Sequence, residues 1–455
     1  MNQPSSVAEI LQLLTDHQID KVKLAVTDID GILRGKMISI EKFRSVIEKG
    51  FGFCDVVFGW DAADLAYDNA KITGWHSGYP DAQAKIDLST FRQIPWENGI
   101  PFFLADFDDG KGNSLCACPR SLLKKIDKQA RGMGFVPFFS QEFEWFNLIR
   151  DDENSHQPNI HLHPMTEGMF GYSILRASQK TAYFNELFDY LKKFKVPLEG
   201  IHTETGPGVY EAAILYADLP DAADRAVLFK TAVKEIAFKH GLLATFMAKY
   251  SENLPGCSGH VHQSLWSDDG KENLFFDEHS HTLMSNMMDQ YIAGQLFCLP
   301  HILPMYAPTV NSYKRLVEGA WAPTTITWGI DNRTTALRAL PGSKQSTRLE
   351  TRVVGSDSNP YLAMAACLAS GLYGIRNKLE LKIQPTKGNG YSDKSNGILP
   401  SSLIESTKMM RDSVIAKELF GEEFVEHFTS TREWEWRQFS KVVTDWELRR
   451  YMEII

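Results

Sequence analysis

The sequence predicts an α+β fold: a small strand-rich amino-terminal part, then a larger domain in which amphipathic helices alternate with strands around one large sheet. Three observations predict it. The segment VKLAVTDIDGILRGKMI (residues 22–38) alternates in polarity on both sides of Asp30-Gly31, which reads as a hairpin closed by a two-residue turn. Beyond CPRSLLKKIDKQARGMG (118–134), runs with helical periodicity are separated by runs of period two. The polar, Gly-rich DFDDGKGNS (106–114) between them reads as a linker, which divides the chain into residues 1–113 and 114–455.

In chain order, residues after Ser5-Ser6 form a short capped helix, the hairpin follows, and a helix covers about 40–49 with further short strands behind it. Helices are expected near 119–132, 178–195, 220–240, 281–299 and 360–378, with a helical tail at 431–452. Strands are expected at 136–148, 197–204, 209–216, 242–248, 258–266, 324–330, 335–340 and 348–354. KIQPTKGNGYSDKSNG (382–397) reads as a polar loop.

Composition narrows the function. The 455 residues carry a net charge of −9, with 43% hydrophobic and 23% charged residues. That balance suits a globular enzyme and argues against nucleic acid or an anionic membrane as partner. No apolar run reaches membrane-spanning length, and the first residues lack the basic and apolar regions of a secretory leader. Six scattered cysteines form no metal or disulfide framework, so the cytoplasm is the expected compartment.

Ionisable residues then recur on the expected strands at a spacing of two, which places them on one face. FFSQEFEWFNL (138–148) carries Glu142 and Glu144 amid aromatics; SGHVHQSLW carries His260, His262 and Ser264; STRLETRVV carries Arg348, Glu350 and Arg352. EGIHTETGPGVYEAAI adds Glu199, Glu204 and Glu211. Singly, such stripes are ordinary solvated faces or salt bridges worth little. As a set, carboxylates outnumber imidazoles, which suits Mg²⁺ or Mn²⁺ over structural zinc. Arginines beside them suit carboxylate and phosphate ligands.

GCSGHVHQS, TVNSYKRLV, NRTTALR, RLETR and NPYLAMAACLASGL together resemble the signature blocks of the glutamine synthetase superfamily, in family order and near-family spacing. The resemblance implies a β-grasp amino-terminal domain and a catalytic domain whose curved antiparallel sheet forms a funnel. It also implies a homo-oligomer of stacked hexameric rings, a dodecamer, with each active site at a subunit boundary. By the same resemblance Glu144, Glu204 and Glu211 match the ligands of one metal ion, and Glu142, His260 and Glu350 those of a second. Arg315, Arg338 and Arg352 match groups that hold glutamate and its developing phosphate, with Gly256 offering backbone contact. Arg333 and Arg348 match ATP-phosphate contacts, and His262, Ser264, Glu199 and Lys344 line the nucleotide side. Arg333, Arg315 and Glu350 are expected to carry catalysis, and Tyr172 in MFGYSIL resembles an amine-site tyrosine.

Two departures point to the second substrate. Where ammonia-using members carry a closing glutamate after SYKRLV, RLVEGAWAP places Trp321. Where they carry an ammonium-binding aspartate in an F-D-G-S-S stretch, this chain has FCDVVFGWDAADLAYD, in which Asp55, Asp61 or Asp64 could substitute. Loss of carboxylates and gain of an indole favours an amine bearing carbon, since an alkylammonium gains from apolar and cation–π contact. The expected activity is an ATP-dependent glutamate–amine ligase acting on an alkylamine, ethanolamine or a polyamine. The alternatives are glutamine synthesis, a non-catalytic structural relative, and a metallohydrolase built on His161, His163 and the GHVHQ pair.

Overall fold

The structure, a computed structural model, describes residues 6–109, 112–150 and 162–455. Helix α1 (Val7–Asp16) starts at Ser6, whose hydroxyl accepts from Glu9 N while the Glu9 side chain accepts from Ser6 N. Strand β1 (Lys21–Thr27) pairs antiparallel with β2 (Leu33–Ser39), Thr27 opposite Leu33. The expected two-residue turn is therefore a longer loop, residues 28–32. Asp28 explains the difference: its Oδ1 accepts from the backbone N–H of Asp30 at 3.0 Å and of Ile32 at 2.8 Å. Helix α2 (Ile40–Val46), β3 (Phe51–Cys54), β4 (Asp81–Ile94) and β5 (Ile100–Asp108) complete a sheet of order β2-β1-β5-β4-β3. The central β1 and β5 are parallel, and α2 buries Phe43 and Val46 in the sheet's core, the β-grasp arrangement. The polar stretch read as a linker from residue 106 remains strand as far as Asp108, because Asp106 is an ion-pair partner of Arg120 and Lys124.

The larger part begins with α3 (Pro119–Gly132), β6 (Phe135–Ile149), α4 (Ile174–Ser178), α5 (Thr181–Lys193), β7 (Leu198–Thr203), β8 (Val209–Ile214) and β9 (Ala217–Asp218). It continues through α6 (Leu219–Lys239), β10 (Leu242–Thr245), β11 (Val261–Ser267), α7 (Asn286–Ile302), α8 (Ser312–Arg315), β12 (Trp328–Ile330), β13 (Leu337–Leu340) and β14 (Arg348–Thr351). Helices α9 (Pro360–Arg376), α10 (Leu403–Asp412), α11 (Val414–Phe420), α12 (Glu422–Phe439) and α13 (Asp445–Tyr451) close the chain. The strands form one curved sheet of order β12-β13-β14-β11-β6-β8-β7, with β9 and β10 also on β6. It is antiparallel except for the β12–β13 pair.

Strand β6 is the spine. Its odd residues Phe139, Gln141, Phe143 and Trp145 are buried under the helices, Phe143 stacking on Phe229 of α6 with ring centroids 5.6 Å apart. Its even residues Glu142 and Glu144 therefore point to the opposite face. Helices α6 and α9 cover one side of the sheet, and the polar stripe lines the other.

Several elements differ from expectation. The helix expected at 178–195 is α5, preceded by a separate short helix α4, and the one expected at 281–299 starts only after the Ser285 cap. The tail is α12 and α13, broken where Thr444 and Glu447 form a new capping box. The strand expected at 324–330 shortens to β12, because the backbone before it pairs elsewhere, Thr325 bridging Ile398 and Ile326 N donating to Gly397 O at 3.1 Å. The polar loop 382–397 is pinned: Asn332 Nδ2 donates to Thr386 O and Gly388 O, and Gly390 N donates to Thr334 Oγ1.

Candidate active site

Cross-strand register brings the stripes together. Glu144 on β6 lies opposite Glu211 on β8, and Glu211 in turn lies opposite His202 on β7. On the other side of β6, His262 pairs with Ser140, and across β11 it pairs with Glu350, which itself lies opposite Arg338 of β13. Two acidic clusters result. Ligand atoms of Glu142, His260 and Glu350 lie within 4.8 Å of one another, and so do those of His202, Glu204 and Glu211.

The first cluster is the more buried. His260 Nδ1 is 2.8 Å from Glu142 Oε1 and 3.3 Å from Glu350 Oε1. Glu350 is fully buried and takes Arg338 Nη1 at 3.0 Å on one oxygen and Arg352 Nη1 on the other. Burial and the Arg352 charge push His260 down to about 4, so its ring is neutral at physiological pH. Both neighbours of Nδ1 are carboxylates, which only accept, so Nδ1 carries the proton. That leaves a bare lone pair on Nε2, which is buried with no hydrogen-bond partner among the described residues. Burial opposes the charge of Glu142, but His262 and His260 outweigh it and hold the carboxyl well below its usual range.

The second cluster holds too much negative charge for its own groups. Burial, then Glu211, pushes Glu144 up to about 8, although Ser258 N donates to its Oε2 at 2.8 Å. Burial also raises Glu211. His202 sits 3.4 Å from Glu211 and 3.8 Å from Glu204; burial opposes its charge, and the Glu211 hydrogen bond and charge outweigh it, to about 9. The tight group is thus His202, Glu204 and Glu211, with Glu144 facing Glu211 across the ladder. An orphaned imidazole lone pair in one cluster and clustered carboxylates in the other, mostly oxygen donors, fit divalent cations.

A cavity of about 370 Å³ adjoins the first cluster and is lined by Glu142, Glu199, His262, Ser264 and Arg348. Arg348 Nε donates to His262 Nδ1 at 3.2 Å, and His262 Nε2 lies 3.3 Å from Glu142. Phe138, Tyr216 and Trp266 form its aromatic wall, with Phe138 edge-on to both neighbours. Lys344 is exposed beside the lining residues Gln345 and Ser346. Arg333 is not in this cavity. It shares a second one with Trp321, Ile330, Pro385 and Lys387, and its carbonyl accepts from Arg352 Nε at 3.1 Å.

Gly256 abuts Arg315: a Cβ there would lie 2.8 Å from Arg315 Cγ. The Arg315 guanidinium is buried and donates to the carbonyls of Val353 at 3.0 Å and Arg352 at 3.1 Å. Tyr172 stacks on His202 with centroids 4.5 Å apart, and its backbone N–H donates to Thr203 O. Trp321 is 62% exposed and takes φ 58°, a region bulky side chains rarely enter. Asp55 accepts from Thr73, Asp61 from Trp434 Nε1, and Asp64 pairs with Arg34, so each is engaged within its own chain. His161 lies outside the described residues, and His163 is exposed and belongs to neither cluster.

Residues 116–451 match the family model described as glutamine synthetase, catalytic domain. The chain belongs to the glutamine synthetase family. The type-1 glutamine synthetase 2 of Dictyostelium discoideum is 55% identical, over 95% of this chain and 84% of that protein. The glutamate–isopropylamine ligase of a Pseudomonas species is 38% identical, over 99% of this chain and 98% of that protein. A solved GmaS/ADP complex superposes with a TM-score of 0.84 at 26% identity, covering 97% of this chain and 99% of that one. The chain is accordingly a glutamine synthetase-type, ATP-dependent ligase of a family that uses divalent metals. No helix among the described residues is long and apolar enough to cross a membrane.

Sequence reasoning missed His202 and the aromatic wall. His202 had a signal: it stands two residues before Glu204, on the same strand face. Tyr216 and Trp266 had none, because only the β9 and β11 pairings with β6 bring them to Phe138.

Proposed function

We propose that the chain joins the side-chain carboxylate of glutamate to a carbon-bearing amine, an alkylamine, ethanolamine or a polyamine, at the expense of ATP. The observation that carries this reading is Trp321: an indole, held at φ 58° on a cavity shared with Arg333, where an ammonia ligase wants a carboxylate. Backbone in that region costs about 1–3 kcal/mol and persists where the surrounding structure holds it.

Glu142, His260 and Glu350 would hold one divalent ion, and Glu144, Glu204 and Glu211, joined by His202, a second. Bound there, the ions would neutralise charge on the transferring phosphoryl group. His262, Ser264, Glu199, Lys344 and Arg348 would hold the nucleotide, with adenine against the aromatic wall. Arg315 would order the backbone at residues 352–353, and with Gly256, Arg338 and Arg352 place the glutamate carboxylate. Its oxygen attacks the γ-phosphorus, the bond to ADP breaks, and an acyl phosphate forms, with Arg333 stabilising the charge. The amine then attacks the acyl carbon and loses a proton while the carbon–oxygen bond to phosphate breaks. Tyr172 and Trp321 would flank the amine. The reading includes a division at residues 113/114 and assembly into stacked hexameric rings.

Glutamine synthesis is the second reading, favoured by the 55% identity to a protein of that name. Phosphate release with glutamate, ATP and a panel of amines separates the two. A preference for an alkylamine over ammonia of about tenfold in kcat/KM needs about 1.4 kcal/mol, within reach of burying two methylenes at about 0.8 kcal/mol each. Trp321→Glu should then move the preference toward ammonia. Ammonia as the best wild-type substrate, with an unchanged ranking in Trp321→Glu, returns the protein to glutamine synthesis.

A further inference from the structure

A cavity of about 650 Å³, sharing no lining residue with the nucleotide cavity, opens where β4 meets α3, the end of α5 and the start of α6. Six cationic and four anionic side chains line it, a surplus of two positive charges in a chain whose net charge is −9. The pairing is uneven. Arg120 and Lys124 are saturated by Asp87 and Asp106, Arg120 also by Asp224, at 2.6–2.9 Å. Asp221 is shared: Arg92 Nη2 reaches it at 3.1 Å and Arg225 Nη2 at 2.7 Å. Arg92 is 3% exposed and donates through Nη1 to Thr90 O at 2.9 Å, as Arg225 does to Leu215 O at 3.0 Å, but the buried Nε of each has no hydrogen-bond partner among the described residues. Lys195 stands beside Arg92, and among the described residues its ammonium donates to one neutral carbonyl, Phe91 O, at 2.8 Å. Lys192 is exposed on the same wall, without a side-chain hydrogen bond or ion pair among the described residues. The amino end of the 21-residue α6 also opens here, and its Asp218 cap makes no capping hydrogen bond.

The geometry points to a binding site for a phosphate group, free or carried by a small metabolite, at this junction, gripped by Arg92, Lys192 and Lys195 with help from the α6 amino terminus. A phosphate group adds negative charge beside Lys192 and Lys195, which have no carboxylate at hydrogen-bond distance among the described residues, and its fixed oxygens suit donors on several walls. The site is distinct from the nucleotide cavity and does not depend on which amine the ligase uses.

Calorimetric titration of the full-length protein, at constant ionic strength with Mg²⁺ and a non-hydrolysable ATP analogue present to fill both the nucleotide and the γ-phosphate positions, tests it. The probes are inorganic phosphate, glycerol 3-phosphate and succinate. One phosphate site per chain is expected, weakened about tenfold or more by Lys195→Met and by the exposed change Lys192→Glu, since charged hydrogen bonds are lost. The phosphate-free ligase rate should stay at the wild-type level. Binding of glycerol 3-phosphate as well supports a carried phosphate; binding of inorganic phosphate alone supports the free ion. Absence of phosphate binding, preference for succinate, or equal affinity in Lys192→Glu and Lys195→Met overturns the assignment.

Discussion

Replacing Glu144 by glutamine should make the metal-free protein more stable at pH 8 and useless as a ligase. In the folded chain, burial and Glu211 raise its carboxyl from 4.5 to about 8. Between those values the folded state holds a proton that the unfolded state has lost, so stability falls as pH rises from about 4.5 to 8. Each tenfold in proton affinity is about 1.4 kcal/mol, which sets a ceiling near 5 kcal/mol. Glu144 is only half-buried, and solvent screening reduces the expected gain to about 2 kcal/mol. For a chain of 455 residues, that is a rise of about 2 °C in the thermal midpoint. Thermal unfolding in EDTA at pH 8 should show it, and the difference should shrink several-fold by pH 5, where the wild-type group keeps its proton. Added Mg²⁺ should then stabilise the wild type more than Glu144→Gln, because an ion bound beside Glu144 displaces that proton and answers the repulsion. A variant that is no more stable than wild type in EDTA at pH 8 would falsify the account of Glu144 as an acid crowded by its neighbours.

Arg333→Lys keeps the charge but loses the two-pronged grip, so kcat should fall by about 100-fold while the KM for ATP moves little; an unchanged kcat removes Arg333 from the chemistry. Gly256→Ala puts a Cβ 2.6 Å from Ala248 O and 2.8 Å from Arg315 Cγ. Backbone there cannot yield cheaply, so Arg315 should shift and the KM for glutamate rise about fivefold, roughly 1 kcal/mol. Steady-state kinetics with wild-type KM would show that Arg315 is not placed by this contact. Chelation of divalent ions should abolish turnover in the wild type, and full activity in EDTA would refute both acidic clusters as ion sites.

How much of this was legible in the sequence follows from how local each feature is. Glu142 and Glu144, His260 and His262, and Arg348, Glu350 and Arg352 were legible because a strand repeats every two residues, and that period is written in the chain. The aromatic residues between them carried the complementary message, since Phe143 and Trp145 between and beside two acids demand a buried face. What the chain does not write is which strands become neighbours. His202 facing Glu211, and Tyr216 reaching Phe138, depend on pairings that no local pattern specifies. The hairpin loop failed for a related reason. Asp30-Gly31 is a strong turn signal, but Asp28 captures the loop's own N–H groups, and its far side is held by distant residues.

Those distant contacts tie the amino-terminal sheet to the catalytic one. Asn359 Nδ2 donates to Asp28 O and Ile29 O, while its Oδ1 caps α9 through Tyr361 N at 3.0 Å. Arg432 of α12 reaches Asp30 at 2.6 Å and Pro308 O at 2.9 Å. A Cβ on Gly31 would lie 3.0 Å from Asn359 Cα, so only glycine permits the approach, and at φ 81° only glycine takes it without strain. One asparagine thus fixes both the start of α9, which packs behind β6 and β11, and the loop of the small domain. Glu142, Glu144 and His262 of the candidate site ride on those two strands. Their placement relative to the amino-terminal sheet therefore depends on buried hydrogen bonds at the start of α9, on the helix-covered side of the large sheet.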